Sequence, residues 1–246
     1  MNTNVLNTVR EEKGFTLVEL AVVMIIIGLL IGGILKGQEM IANAQITSTV
    51  AQAKAMDAAT STFRDQYDAL PGDMRNATTR LVGCAAPCVD GNGDGRLGGV
   101  VGAVPTAAAE TLGFFPMLRL ADLVTGFDGT AAVNFGAALP TASAGGGFTV
   151  GYAATGAAQT GFTIGEMRSG HYIVLTGQPV AVAAGTGKLT PTQGARIDRK
   201  MDDGISNTGS VISDNFALGC RNAATDAEYD ENAANSVCNI AIRIQG

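Results

Sequence analysis

The chain has 246 residues, 46% hydrophobic and only 15% charged, with 33 glycines, a single histidine and a formal net charge of −6. This is enough for one or two domains. The acidic balance gives no electrostatic footprint for nucleic acid, so none is expected as a partner.

The first predicted element is an uninterrupted apolar run, Phe15 to Leu35. Its 21 residues would span about 31 Å as a helix, close to the roughly 30 Å of a bilayer's hydrocarbon core. The run exceeds the apolar core of a cleavable secretory signal, and no small-residue cleavage site of the A-x-A kind follows it. Arg10 and Lys13 precede it, which favours a cytoplasmic N-terminus. Inside the run stands one carboxylate, Glu19. A charge at the centre of a membrane costs on the order of 3 kcal/mol by insertion scales, so Glu19 calls for a partner.

The residues Lys13-Gly14-Phe15-Thr16-Leu17-Val18-Glu19 resemble the processing site of type IV prepilins and of type II secretion pseudopilins. A basic residue, glycine and phenylalanine are followed by glutamate at the fifth position of the mature chain. The resemblance implies that a prepilin peptidase removes residues 1–14 by cutting between Gly14 and Phe15, and N-methylates Phe15. It implies a single-pass protein of a bacterial inner membrane that then joins a periplasmic or cell-surface filament. Its partners would be membrane lipid before assembly, the inner-membrane assembly machinery, and identical or related pilin subunits. In the filament, Glu19 of one subunit would meet the Phe15 amine of a neighbour, so that register is selected by the cost of an unpaired charge. A contact between Glu19 and its own amine, fixing the helix start, is the simpler alternative.

Beyond Lys36 the apolar spacing changes. Ile46, Val50, Ala53, Met56, Phe63 and Tyr67 recur at helical steps, apart from one gap of seven residues, with Gln52, Lys54, Asp57 and Arg64 between them. No proline occurs before Pro71, so one helix is predicted from Phe15 to about Tyr67. The division expected is leader 1–14, membrane or filament-core helix 15–35, amphipathic continuation 36–70 and an extracytoplasmic head 71–246. Gly28, Gly32, Gly33 and Gly37 each weaken the helix by about 1 kcal/mol relative to alanine. They suit close helix packing in the membrane, or a stretch that unwinds on entering a filament. Many type IV pilins carry a proline about where Lys36 stands here.

In the head, Asp68-Ala69-Leu70-Pro71-Gly72-Asp73 signals a turn. A helix is predicted over Pro116–Val124, with proline in its first turn, and another over Gly194–Met201. Strands are predicted at Phe148–Ala154, Gly161–Gly165, His171–Thr176, Pro179–Ala183 and Ile240–Ile244. The Gly/Ala-rich stretch from Gly98 to Gly161 reads as long loops or as structure. The fold class expected is α+β and pilin-like: a long N-terminal α-helix, half membrane-spanning and half amphipathic, packed on a globular head with an antiparallel β-sheet. Tyr67–Asp73, Asp90–Gly95 and Ile197–Gly204 also resemble segments of prepilin-like proteins and imply no distinct activity.

Asp90-x-Asn92-x-Asp94-Gly95 repeats the first half of an EF-hand loop, with the Arg96 carbonyl as the next donor and Gly95 at the sharp turn. Val101 stands where a bidentate glutamate belongs; Asp73 or Glu110 are candidates to complete the shell. Structural calcium and a metal-free polar loop are both open readings. Asp202-Asp203-Gly204 is expected to be a helix end, with Gly204 as the cap and the acids solvated.

Cys84, Cys88, Cys220 and Cys238 make an even count, which in an exported head suggests two disulfides. Cys84–Cys88 with Cys220–Cys238 is one of three connectivities. The resemblance to pilins with a disulfide-bounded loop implies the Cys220–Cys238 pair. A half zinc site at Cys84 and Cys88 is weaker, since His171 is the single histidine. His171 is expected to be surface or half-buried, without a partner. No Ser-His-Asp order, nucleotide-binding glycine fingerprint or P-loop occurs, and the chain is not expected to be an enzyme. The leading expectation is a structural subunit, major or minor, of a type IV pilus or related filament. The alternatives are a pseudopilin of a type II secretion system, and a DNA-uptake or adhesive pilin.

Overall fold

A computed structural model describes residues 14–106, 109–222, 226–235 and 237–244. Residues 1–13 of the expected leader, including Arg10 and Lys13, lie outside the described residues. The structure is α+β and pilin-like: a long N-terminal helix, α1 (Leu17–Tyr67), and a globular head with a four-stranded antiparallel sheet. By its contacts the chain forms two compact units that divide between Asn43 and Ala44.

In the first unit, α1 is apolar and exposed all round: Leu17, Leu29 and Leu35 are largely exposed. A helix apolar on every face needs a membrane or other helices around it. By length and composition this one is sufficient to cross a membrane. Lys36 and Glu39 form an exposed pair, 2.7 Å apart, near its end.

In the second unit, α1 turns amphipathic. Ile46, Val50, Ala53, Met56, Ala59 and Phe63 are buried at helical steps, and Thr60 fills the gap. Thr60 is accommodated because its hydroxyl bonds back to the Met56 carbonyl at 2.8 Å. The helix ends at the predicted turn, where Asp68 and Gly72 take positive φ. A single turn of helix, α2 (Ala77–Arg80), follows.

The sheet contains β1 (Gly147–Ala153), β2 (Gly170–Thr176), β3 (Val211–Ser213) and β4 (Ile240–Ile244), in the order β1-β2-β4-β3. Register Tyr152↔His171↔Ile244 and Val150↔Ile173↔Ile242 puts the alternate residues of three strands on one face. That face carries Phe148, Val150, Ile173, Leu175, Ile240 and Ile242, in one core with the α1 stripe. The opposite face, with Tyr172, Val174, Ile212 and Ala241, is covered by Val101, Phe162, Met167 and Val182 from loops. Burial on both faces explains the unbroken apolar reading of β2 and β4.

Several expectations are corrected. Gly161–Gly165 and Pro179–Ala183 are not strands: the first is bounded by glycines at positive φ. Their backbones make isolated bonds instead, Asn215 N to the Gly161 carbonyl and Val182 N to the Gly102 carbonyl. The helix placed at Pro116–Val124 is α3 (Glu110–Leu120), with Pro116 inside it rather than in its first turn. Proline there forfeits one backbone bond, but residues 111–118 are all buried, and that burial holds the helix. Helix α4 (Pro191–Met201) begins three residues earlier than predicted, on a Thr190–Gln193 capping box. The Gly98–Gly161 stretch contains α3 and β1 between loops.

Candidate functional site

At the start of α1, Thr16 and Glu19 form a reciprocal cap. The Thr16 amide and hydroxyl each donate to Glu19 Oε2 at 2.9 Å, and the Glu19 amide donates to the Thr16 hydroxyl at 3.2 Å. This is the capping box spelled by Thr16-Leu17-Val18-Glu19, a signal present in the sequence itself. The local partner of Glu19 is therefore Thr16. Both bonds use Oε2, so Oε1 has capacity for a second donor. Gly14 and Phe15 are exposed, Phe15 by 89%. The peptide bond between them is accessible, and cutting it would release a cationic amine close to Glu19.

In the head, Cys84 is bonded to Cys88, and Cys220 to Cys238. The longer bridge closes a loop that is also pinned from inside. Arg221, fully buried, makes a two-pronged pair with Glu166, at 2.9 Å from Nη1 and 2.8 Å from Nη2. Its Nε donates to the Ser213 hydroxyl at 2.9 Å and its Nη2 to the Ser213 carbonyl at 2.5 Å. The disulfide-bounded loop is thus tied to edge strand β3. Next to it, Asp214 is buried, accepting from the Asn239 amide at 3.0 Å and the Asn239 side chain at 2.7 Å. Burial pushes its carboxyl up to about 7, against these bonds and the Arg221 charge. Neither Arg221 nor Asp214 was visible as functional in the sequence, because their partners come from three separate segments.

The acidic loop is held by backbone donors. Asp73 accepts from Gly93 N at 2.6 Å and Gly95 N at 2.7 Å; Glu110 accepts from Asn92 N at 3.0 Å and Gly98 N at 2.6 Å. Gly95 has φ +79°, as its turn position requires. Asp73 and Glu110 do meet the loop, then, but at its N–H groups. Asp90 is turned away, accepting from the Thr78 amide at 2.8 Å and from its hydroxyl. Asn92 Oδ1 accepts from Asp94 N, and Asp94 Oδ1 from Arg96 N, each at 2.8 Å. A cation bound by Asp90, Asn92, Asp94 and the Arg96 carbonyl would have to open some of these bonds.

Asp202 and Asp203 are not simply solvated. Asp202 accepts from the Ser210 and Val211 amides, and Asp203 from Ile205 N and the Thr208 hydroxyl. Asp198, buried beside them, accepts from Tyr229 and Gly204 N, and burial lifts its carboxyl to about 6. The expected Gly204 cap is corrected: α4 ends at Met201 with Asp202 as its cap, and Gly204, at φ +79°, turns the chain two residues later.

His171 corrects its expectation: it is only 5% exposed. It lies 5.1 Å from the Tyr152 ring, and neither ring nitrogen has a hydrogen-bond partner among the described residues. It lines a cavity of about 440 Å³ together with Arg64, Asp68, Asp73, Arg75 and Arg80. Burial lowers its pKa to about 4, Arg64 adds to the effect, and Asp73 and Asp94 oppose it.

Comparison with known families finds the prokaryotic N-terminal methylation motif at residues 9–35, the leader signature of type IV pilins and pseudopilins. The motif implies prepilin-peptidase processing, assembly into filaments with related subunits, and, with the apolar helix, membrane anchoring before assembly. Proteins that carry it are generally structural rather than enzymatic. Comparison with curated proteins and with solved structures finds no significant match.

Proposed function

We propose that this chain is a structural subunit, major or minor, of a type IV pilus or related filament. The observation that carries the reading is the capped Glu19 in the otherwise uncharged, exposed first part of α1, residues 17–35, directly after an accessible Gly14–Phe15 bond. Cleavage there leaves the helix attached to the head and creates the amine. The helix then exchanges lipid for neighbouring helices, and Glu19 Oε1 accepts a neighbour's Phe15 amine. In this reading residues 15–35 form the filament core, and the head lies on the periplasmic or outer side.

Two measurements test it. Mass spectrometry of the protein from its native host is expected to find a chain beginning at N-methylated Phe15; an intact N-terminus overturns the reading. Glu19→Ala is expected to insert in the membrane yet give no filaments; normal filaments would sink the pairing. Imaging of the cell surface separates the pilus from the alternative, a type II secretion pseudopilin, for which long surface fibres are not expected. An adhesive or DNA-uptake pilin is a further alternative, and the net charge of −6 disfavours DNA.

Calcium at Asp90, Asn92, Asp94 and the Arg96 carbonyl is a separate proposal, resting on the EF-hand-like spacing. Calorimetry of the full chain in detergent tests it. Heat of binding at millimolar calcium, lost in Asp94→Ala, supports it, and no heat ends it.

A further inference from the structure

The cavity beside His171 has no part in filament assembly as proposed above, and its lining is unusual. Three arginines converge on it from separate segments: Arg64 near the end of α1, Arg75 after the turn and Arg80 on α2. Arg75 uses its Nε on the Asn92 carbonyl at 2.6 Å, and Arg80 uses one Nη on the Tyr67 carbonyl at 2.6 Å. Each keeps further N–H groups. The Arg64 side chain makes no hydrogen bond or ion pair among the described residues; its carbonyl accepts from Asp68 N. Of the two acids in the lining, Asp73 is already engaged by the Gly93 and Gly95 amides, which leaves Asp68 at the rim. His171 also lines the cavity, its imidazole buried with both nitrogens unpartnered among the described residues. The volume lies in the range of small-molecule sites, about 300–1,000 Å³.

We propose that this cavity binds a small molecule carrying an oxyanion, a carboxylate or a phosphate. The arginine forks match such groups in geometry as well as charge. Arg64 is the principal contact, since its guanidinium is uncommitted, and a bound anion changes the electrostatic field at the neighbouring His171 ring.

The single histidine makes the test direct. Untagged full-length protein in detergent micelles, labelled with ¹⁵N in histidine alone, reports only on His171. Titration at constant pH with inorganic phosphate or with glucuronate is expected to move the ring nitrogen resonances in a saturable way. Sodium chloride at equal ionic strength is not expected to do so. A response to phosphate alone assigns the phosphate class, and one to glucuronate alone assigns the carboxylate class. Arg64→Gln alters an exposed, unbonded side chain and is expected to leave melting unchanged while weakening the response about tenfold. Arg199→Gln, whose guanidinium is paired with Glu231 elsewhere in the head, is expected to change nothing here. No saturable movement with either anion, or an undiminished response in Arg64→Gln, overturns the proposal.

Discussion

In the proposed assembly, Glu19 serves two stages with one carboxylate. While the leader is attached, Oε2 closes the helix start through Thr16. Thr16→Ala removes a cap of about 1 kcal/mol but keeps the Glu19 charge. It is therefore expected to lower filament yield without abolishing it, unlike Glu19→Ala; counting filaments by electron microscopy in both variants checks this ordering. Asp214 carries a pH prediction. Its folded pKa, raised by burial to about 7 from a reference of 3.8, means that the folded state holds a proton the unfolded chain has released. Its contribution is full below about pH 4 and is lost as pH rises through 7. His171, depressed to about 4, runs the other way between its reference value of 6.5 and 4, so total stability mixes the two. The clean readout is a difference: the melting temperature of Asp214→Asn minus that of the native protein should increase from pH 5 to pH 8. A constant difference would count against a buried, proton-holding Asp214.

At the scale of elements, what was legible followed periodicity and punctuation. Helix α1, β2 and β4 were readable from apolar spacing, since each has a long run or clear flanks. Strand β3 was not: three residues are too few to show alternation, and only its ladder with β4 defines it. Pro116 misled because local propensity places proline at a helix start, whereas burial of residues 111–118 decided the matter. The capping pattern at Thr16 is legible from its Thr-x-x-Glu spacing alone. The cavity at His171 was not legible, since it is assembled from four segments with no shared motif. Sheet packing also yields a sharp prediction at Gly151. A Cβ there would lie 2.7 Å from Val101 Cα and 2.8 Å from the Val100 backbone, which crosses the strand at this point. Main chain cannot yield as a side-chain tip can, so Gly151→Ala is expected to destabilise the head by about 2 kcal/mol. Denaturant unfolding measures it, and an unchanged midpoint would refute the close crossing.

For the whole molecule, the two disulfides act on very different loop lengths. Cys220–Cys238 spans 18 residues and Cys84–Cys88 spans four. By loop-closure entropy the first is expected to contribute about 3 kcal/mol and the second about 2. Replacing Cys220 and Cys238 by serine should therefore cost more than replacing Cys84 and Cys88, as read by thermal melting of the two double variants. The Arg221 tether to Ser213 and Glu166 will retain part of the loop geometry, so the first variant should be weakened rather than unfolded.

The strand order β1-β2-β4-β3 places residues 240–244 in the interior of the sheet. Strand β3 pairs only with β4, and β2 has an open edge until β4 fills it. A chain emerging from its N-terminal end, whether from the ribosome or through a membrane, therefore cannot complete its sheet early. Strands β1 and β2 can pair directly, but the β2–β4 and β3–β4 ladders wait for residues 240–244. Completion of the head thus works as a clock on delivery: a subunit with a finished sheet is one whose β4 has already emerged.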